Sequence, residues 1–430
     1  MSWNVAIVGC GTAGPATALF LRRAGHKVTV FERAQKLKPV GAGITLQPTG
    51  QFVLERLGLL DTITELATPL RHLYAKTRSD RTILDLHYTE LHPTLTGYGL
   101  HRGALFQTLL DAMLAKEEGS TEVSLHCDSE IVQILPEDGF KASVLDIRGE
   151  KHGVFDLILL ADGARSHLRR SSPYLRKSET YSWGAIWAVL PDEERYFSQR
   201  EQLFQRLDGN HKMLGFLPTG RRSLEEEAQV SLFWSLPTNS IARWRERGIN
   251  AWKEEVIALE PEAARLLEHI EEQDQLIFAF YHDVVMSRWD HLPLVVLGDA
   301  GHAMGPQLGQ GANLALLDAM VFCDTLAQFS DRATALQCFS RRRKANVRFY
   351  QLATRWLTPL FQSDFAPLGW LRDLTFGPMH LLPPVRRQML RSMCGFKRGI
   401  LRPSFPLQQF HPASVAVPEY LRSLAPKSLP

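Results

Sequence analysis

The chain has 430 residues, of which 45% are hydrophobic and 22% charged, with a formal net charge of +3. This length buries a large core and predicts two or three domains, and the composition is that of a globular protein. The small positive charge argues against nucleic-acid binding, which needs a concentrated basic face. The five cysteines (Cys10, Cys127, Cys323, Cys338, Cys394) are scattered and odd in number. They argue against a disulfide framework or metal site and favour a reducing, cytoplasmic compartment.

Residues 4–33 contain the first functional motif, NVAIVGCGTAGPATALFLRRAGHKVTVFER. An apolar strand precedes Gly9, Gly11 and Gly14 in the spacing G-x-G-x-x-G, a helical pattern follows, and a second strand ends at Glu32. The first glycine allows a sharp turn, the second lets the backbone approach a pyrophosphate, and the third lets the helix pack on the strand. The helix N-terminus favours an anion, and Glu32 can accept hydrogen bonds from a ribose. The stretch therefore predicts a dinucleotide site.

Three later turns are also candidates for ligand binding. A second glycine loop at 40–48 contains Gly41 and Gly43, which allow close approach of a flat or bulky group, although the loop taken alone fits a flexible connection better. Arg102 precedes a predicted helix at 104–115, where a cation is unfavourable unless it binds a group such as a phosphate. An apolar strand predicted at 155–161 leads into Asp162 and Arg165 in the sequence ADGARS, which suggests a second phosphate-handling edge.

The hydrophobic pattern changes at residues 180–289. Short alternating runs at 182–190, 212–217, 229–236 and 276–281 predict strands of a sheet, and a charged insertion at 240–273 is helical. The predicted strands bear aromatic side chains that fit either a ligand pocket or core packing, namely Trp183, Trp187, Phe216, Phe233 and Trp234.

Another strand, predicted at 293–297, leads into GDAGHAMGPQLGQGANLALLD at residues 298–318. Asp299 follows the strand, and glycines keep the loop thin before a helix predicted at 312–329. The N-terminus of that helix, near Asn313, can stabilise negative charge on a ring system.

The C-terminal part predicts helices. A charged helix at 332–350 precedes an apolar stretch at 356–382, which is interrupted by Pro359, Pro367 and Pro378. The basic segment at 384–402 fits helices packed over a larger domain or a peripheral contact with an anionic membrane. Because the first predicted strand begins at residue 4, we expect no signal peptide, and no apolar run is long enough to predict a transmembrane helix.

Four pieces, in this order, resemble the single-component FAD-dependent aromatic monooxygenases, the para-hydroxybenzoate hydroxylase-like flavoproteins. They are GCGTAG with Glu32 and Arg33, the pair His101 and Arg102, ADGARS, and the Gly298 turn with Pro306 and GQGAN at 309–313. The resemblance covers residues 4 to about 345. It implies an α/β fold with a Rossmann-like FAD-binding domain (βαβ, GxGxxG), an interleaved β-sheet-rich substrate domain and a C-terminal helical segment.

The resemblance also implies residue roles. The FAD pyrophosphate would be held by Gly9, Gly11, Ala13 and Gly14, the adenosine ribose by Glu32, and Arg33 would lie near the adenine. Arg102 would contact the FAD backbone, Asp162 would serve FAD and NAD(P)H, and Asp299 would bind the ribityl chain. The residues facing the isoalloxazine would be Pro306, Gln307, Gly309, Gly311, Ala312 and Asn313, and Gly43 joins the cofactor-binding residues.

The implied chemistry uses bound FAD, transient NADPH or NADH, and O2. A flavin C4a-hydroperoxide would hydroxylate an aromatic or polycyclic small molecule. The absence of a second G-x-G-x-x-G and of a C-x-x-C pair agrees with this class. Alternatives are an epoxidase acting on a prenyl or terpenoid alkene and a reductase of the geranylgeranyl reductase-like type. His72, Tyr74, Tyr181 and His211 are candidate bases, and no spacing selects one.

The expected organisation follows from these motifs. The FAD-binding domain comprises 1–69, 101–179 and 290–345, the substrate domain 70–100 and 180–289, the C-terminal helices 346–402, and an extended tail 403–430. The expected partners are an aromatic or lipophilic small molecule and, through 384–402, a membrane surface as one alternative. We expect no nucleic acid, and a monomer or homodimer.

Overall fold

The computed structural model describes residues 2–39, 41–116, 121–379 and 381–399. The predicted tail at 403–430 and the end of the basic segment at 400–402 lie outside these residues. The strands, in chain order, are β1 (Asn4–Val8), β2 (Lys27–Phe31), β3 (Gly43–Leu46), β4 (Thr68–Leu70), β5 (His72–Thr77), β6 (Thr82–His87), β7 (Gly97–His101), β8 (Val123–His126), β9 (Ile131–Glu137), β10 (Lys141–Asp146), β11 (Lys151–Phe155), β12 (Leu157–Leu160), β13 (Leu175–Pro191), β14 (Gln202–Asp208), β15 (Lys212–Gly220), β16 (Gln229–Pro237), β17 (Ile277–Met286), β18 (Asp290–His291) and β19 (Leu294–Val296).

The α-helices, in the same order, are α1 (Ala13–Arg23), α2 (Pro48–Arg56), α3 (Leu60–Leu66), α4 (Arg102–Leu114), α5 (Ile241–Leu259), α6 (Ala264–Leu267), α7 (Asp299–His302), α8 (Gly311–Gln328), α9 (Arg332–Phe361), α10 (Pro367–Met379) and α11 (Pro383–Met393). Parallel and antiparallel sheets occur together with a helical C-terminal region, which confirms the predicted α/β fold class.

A six-stranded sheet has the order β18-β19-β12-β1-β2-β8. Its last five strands are parallel, and only the edge strand β18 runs antiparallel to its neighbour. The central strands β1 and β12 are almost entirely buried, which explains why their sequences are unbroken apolar runs rather than alternating ones. Parallel strands of this kind end at one common edge, where ligands bind in open α/β sheets.

A seven-stranded sheet has the order β17-β13-β16-β15-β14-β5-β6 and is antiparallel apart from the pair β14 and β5. One face packs on α5 and α6, where Ile186, Phe216 and Trp234 join Trp252 in a buried cluster. The other face bears Phe233 and packs toward α9 and α10. Phe216 and Trp234 are therefore core residues.

Two smaller sheets complete the fold. The order β11-β10-β9 forms an antiparallel sheet beside the parallel one, and β3-β7-β4 forms a second antiparallel sheet. The β3-β7-β4 sheet packs against the seven-stranded sheet, because Gly43 on β3 and Gly99 on β7 both contact β15.

The structure corrects several predicted elements. The single strand predicted at 155–161 is wrong, because β11 ends at Phe155 and β12 belongs to another sheet. Strand β14 was not predicted. Pro359 does not end a helix, since α9 continues to Phe361. Both α9 and β13 cross boundaries drawn between the predicted domains, at residues 345 and 179, and the division into domains stays a prediction.

Candidate active site

Four of the motifs follow the carboxyl ends of four adjacent parallel strands. Gly9 follows β1, Glu32 follows β2, Ala161 and Asp162 follow β12, and Gly298 comes shortly after β19. Because these strands are neighbours in the order β19-β12-β1-β2, the motifs form a row along one edge of the sheet. Residues separated by nearly three hundred positions in the sequence thus form one cleft.

The glycine turn has the geometry that its spacing predicts. Gly9 has a φ of +104°, and a Cβ there would lie 2.4 Å from the carbonyl oxygen of Ala161. A Cβ on Gly14 would lie 2.1 Å from the Gly9 carbonyl oxygen, so that α1 starts in direct contact with the turn. Gly11 differs, because a Cβ there would meet no atom within 4 Å. The open space at Gly11 faces the first turn of α1, whose N–H groups lack helical partners.

Glu32 is tied to the same turn. Its carboxylate accepts hydrogen bonds from the N–H of Cys10 at 2.8 Å and from the N–H of Ala34 at 3.0 Å. A cleft beside it is lined by Gly9, Glu32, Arg33 and Asp162, together with Ser129 and Ile131. Glu32 and Arg33 therefore share one cavity with the glycine turn.

The two acidic turns are linked by a buried arginine. Arg169 donates to the carbonyl of Ala300 at 2.9 Å and to that of Ala164, and so joins the turn after β12 to the turn after β19. The Oδ1 atom of Asp162 is buried and has no hydrogen-bond partner among the described residues. Burial raises the pKa of Asp162. A buried acceptor of this kind indicates a ligand that donates a hydrogen bond.

The starts of α1 and α8 meet at Gly298. A Cβ on Gly298, which has a φ of +58°, would lie 3.2 Å from the Cβ of Ala13 and 3.3 Å from that of Ala315. Asp299 is exposed, and its carboxylate lies near the beginning of α8, where a Cβ on Gly311 would be 3.7 Å from the Asp299 Oδ1 atom. Two helix N-termini and one carboxylate thus surround the same part of the cleft.

The loop before α8 is fastened to β3 by side chains. The Asn313 amide nitrogen donates to the carbonyls of Thr45 at 2.9 Å and Gly309 at 3.1 Å, and its oxygen accepts from the N–H of Gln47 at 2.8 Å. The Thr45 hydroxyl donates to the carbonyl of Gly309 at 3.2 Å. The Asn313 side chain therefore positions the loop, and the groups left for a ligand are the backbone N–H groups of Gly311 and Ala312 in the first turn.

A buried charge network supports this half of the cleft, and no sequence motif predicted it. Asp318 on α8 accepts from the Gly298 N–H at 2.8 Å and pairs with His302 at 2.5 Å and with Arg343 at 2.6 Å. Arg343 also donates to Asn346, which holds the carbonyl of Lys397. Burial alone would raise the pKa of Asp318, but His302 and Arg343 outweigh burial and lower it to about 2.

Several unpaired polar atoms lie around Gly305. A Cβ there would touch the Gln307 side chain at 2.4 Å and Thr354 at 3.1 Å. The Gln307 Oε1, Thr354 Oγ1 and Tyr181 hydroxyl atoms are buried without hydrogen-bond partners among the described residues. Burial and the nearby Asp283 raise the pKa of Tyr181, and the Gly305 backbone opposes that shift. Tyr181 lies in an irregular part of β13, where the pairing with β17 shifts between Thr180 and Gly184.

Of the four candidate bases, Tyr181 is the one whose hydroxyl lies near the backbone of the 305–311 loop, at Gly305. His72 pairs with Asp85 at 2.8 Å on β5 and β6, and Tyr74 contacts the rings of His72 and Phe204. His211 is exposed in the turn before β15.

Gly43 begins β3 and Arg102 follows β7, at the paired ends of these two strands. The Gly43 N–H donates to the Ser231 hydroxyl at 2.8 Å, and a Cβ would collide with Thr219 at 2.2 Å, so that this glycine packs on the large sheet. Arg102 is exposed, and its side chain lies along Gly41, where a Cβ would be 3.0 Å from the Arg102 Cδ atom.

Comparison with known proteins decides the family. The FAD binding domain family matches residues 2–348. The chain belongs to this family. It is an oxidoreductase of the FAD-dependent aromatic monooxygenase kind, with FAD as its cofactor.

Three curated relatives illustrate the similarity. The 2-heptyl-3-hydroxy-4(1H)-quinolone synthase of Pseudomonas aeruginosa is 27% identical over 90% of this chain and 96% of its own length. The kynurenine 3-monooxygenase of Salinispora tropica is 29% identical over 80% of this chain and 77% of its own. The 3-amino-4-hydroxybenzoate 2-monooxygenase of Streptomyces cremeus is 29% identical over 73% of this chain and 76% of its own.

Solved structures agree with the fold. Klebsiella pneumoniae HpxO complexed with FAD and uric acid superimposes with a TM-score of 0.75 at 20% identity, over 91% of this chain and 97% of that one. A tetrameric 2-methyl-3-hydroxypyridine-5-carboxylic acid oxygenase gives 0.72 at 20% identity, over 91% and 96%. In the described part of the chain, no helix combines the length and apolar character needed to cross a membrane.

The FAD-binding family assignment fits the residues on the strand edge. Gly11 leaves open space beside a helix N-terminus for a pyrophosphate, and Glu32 adjoins the cavity for an adenosine. The unpartnered Asp162 oxygen and the exposed Asp299 supply acceptors for hydroxyl groups further along the row.

Proposed function

We propose that this enzyme uses FAD, NADPH or NADH, and O2 to hydroxylate an aromatic or polycyclic small molecule. The observation that supports it best is the row of four motifs on adjacent strand ends, which runs from Glu32 to the start of α8. When bound, FAD supplies the redox chemistry, by accepting two electrons from the nicotinamide and activating oxygen.

The adenosine half of the proposed site is formed by the first motif. Gly9, Gly11, Ala13 and Gly14 bring backbone N–H groups and the N-terminus of α1 to the pyrophosphate, which carries negative charge. Glu32 would accept hydrogen bonds from the ribose hydroxyls. The hydrogen bond that its carboxylate accepts from the Cys10 N–H keeps it against the glycine turn. Asp162, Asp299 and Arg102 hold the middle of the cofactor.

The ring half is formed by the loop and by α8. The N–H groups of Gly311 and Ala312 point along the helix axis and stabilise negative charge on the ring system. Pro306, Gln307 and Gly309 would lie beside the ring, and Asn313 fixes the loop so that the backbone donors would need no reorganisation. The buried surroundings of Gly305 keep water from the reacting atoms.

Tyr181 is proposed as a hydrogen-bond donor to the substrate. Its raised pKa keeps the hydroxyl protonated at neutral pH, so that it can donate a hydrogen bond but is not ionised to act as a base. The adjacent sheet face bears Trp187 and Phe233, whose rings lie 5.1 Å apart, and the Trp187 indole donates to Tyr281 at 3.1 Å. Such aromatic surfaces suit a planar substrate. The activities of the relatives favour ring hydroxylation over epoxidation or simple reduction.

The test is a substrate screen on the FAD-loaded protein. We expect a kynurenine, aminohydroxybenzoate or quinolone-like ring to accelerate NADH or NADPH oxidation, and mass spectrometry after reaction under 18O2 to find one heavy oxygen atom in the product. A protein that takes up no FAD would overturn the whole proposal. Reduction of a substrate without oxygen incorporation would favour the reductase alternative, and an epoxide product the epoxidase.

A further inference from the structure

Helix α10 is amphipathic but presents its apolar side outward. Pro367, Trp370, Leu371 and Leu374 follow the spacing i, i+3, i+4 and i+7 of one helix face, and all four are exposed. Trp370 is 75% exposed and Leu374 65%. The stripe continues into the connection to α11, where Leu381 is 67% exposed. We call Trp370, Leu371, Leu374, Leu381 and Leu382 the α10 stripe.

The opposite side of α10 contacts the turn at Gly209 and Asn210 through polar and close backbone contacts. Arg372 is fully buried, and donates to the carbonyl of Gly209 at 2.9 Å and pairs with Asp373 at 2.6 Å. A Cβ on Gly369 would lie 3.1 Å from the backbone nitrogen of Asn210, which shows close backbone contact. The helix is therefore held in this orientation, and its apolar stripe faces away from the protein. Contiguous exposed apolar surface of this kind marks an interaction site.

Charge identifies the partner. Residues 365–399 contain six arginines and lysines and one aspartate. Arg372 is buried with Asp373, Arg386 pairs with Glu90 and Lys397 is buried, whereas Arg391 is partly exposed and Arg387 on α11 is exposed five positions after Leu382. Exposed tryptophan and leucine beside arginine is the composition of helices that lie in a membrane interface. We propose that the α10 stripe binds the surface of a lipid bilayer containing anionic headgroups, with α11 supplying cations.

Two other occupants fit the charges less well. A second copy related by two-fold symmetry would place the same cationic surroundings against each other. Residues 401–430 contain three cations and one acid, so that they are not complementary to the region either. The apolar contact thus lies on α10 and its connection, rather than on α11 as the basic segment alone predicted, since α11 buries its Leu390.

The test is flotation of the full-length FAD-loaded protein with vesicles of phosphatidylcholine alone or with about 30% phosphatidylserine. We expect binding that depends on phosphatidylserine and weakens at high salt. The double variant Trp370→Ser/Leu374→Ser should bind at least about tenfold more weakly, and Arg387→Gln about fivefold more weakly to anionic vesicles only. Both variants should retain FAD and their thermal unfolding temperature, because the side chains are exposed.

The matched control is Phe140→Ser/Leu224→Ser, which removes an aromatic residue and a leucine of similar exposure outside α10. It should bind vesicles like the unmodified protein. Failure of the unmodified protein to float, or equal binding by the Trp370→Ser/Leu374→Ser variant, would overturn the proposal. So would a dimer in light scattering that this variant dissociates, or flotation only after removal of residues 401–430.

Discussion

The two halves of the cofactor cleft are built by different means. The adenosine half consists of backbone turns within about thirty residues, in which Gly9 and Gly14 allow contacts that a Cβ would prevent. The ring half consists of side-chain contacts between distant segments, such as Asn313 with Thr45 and Asp318 with Arg343. A local motif therefore specifies one end of the ligand site, while the other end depends on contacts that form only in the assembled fold.

The largest expected effect is in the ring half. Replacing Asp318 by alanine leaves Arg343 and His302 buried without their carboxylate, which should cost about 3–5 kcal/mol of unfolding free energy. The loss is measured by urea unfolding. Asp111→Ala on α4, an exposed position, is the control and should change stability by about 0.5 kcal/mol or less. Equal stability of Asp318→Ala and the unmodified protein would show that the network does not hold this half together.

In the adenosine half, the largest losses of stability and FAD affinity should come from replacing its glycines. In Gly14→Ala, the Cβ must displace the Gly9 carbonyl, and we expect a cost of about 1–3 kcal/mol and FAD binding weaker by about tenfold or more. Gly11→Ala separates binding from folding, because its Cβ meets no protein atom. It should unfold like the unmodified protein and still bind FAD about tenfold more weakly, as measured by fluorescence titration. Normal FAD affinity in Gly11→Ala would place the pyrophosphate elsewhere.

The same contrast explains what the sequence could predict. β1 and β2 lie where the sequence predicted the strands on either side of the glycine motif, because apolar runs and glycine turns are local signals. β14 was missed because QLFQRLD has little apolar alternation. Its strand depends on pairing with β5 and β15, and its buried Arg206 pairs with Glu260 and Asp80 from distant segments. Pro359 lies two residues before the end of α9, where its missing N–H costs one helical hydrogen bond without ending the helix before Phe361.

The acid sensitivity of the ring half is a third test. The pKa of Asp318 is lowered to about 2, whereas an aspartate in an unfolded chain has a pKa of about 3.9. The stabilisation is therefore fully present above about pH 5 and is lost as pH falls toward 2, because the unfolded state then binds the proton more strongly. Between pH 5 and pH 3 this group should account for about 1 kcal/mol of lost stability. Asp318→Asn, compared with the unmodified protein by urea unfolding at both pH values, should lack that part of the decline, and an identical decline would contradict the role given to this carboxylate.

The smallest expected effect concerns Tyr181, which lies on β13 of the seven-stranded sheet, beside the ring half. Tyr181→Phe removes one hydrogen bond, so that kcat/KM should fall about threefold to tenfold while FAD binding stays unchanged. Tyr74→Phe, which alters another candidate base on β5, should leave kcat/KM unchanged. Because the pKa of Tyr181 is raised, its loss should not remove an ionisation from the pH profile between about pH 6 and 9, as it would if the residue acted as a base. Loss of such an ionisation would replace the donor role with that of a base, and loss of FAD instead would show that Tyr181 belongs to the cofactor rather than the substrate.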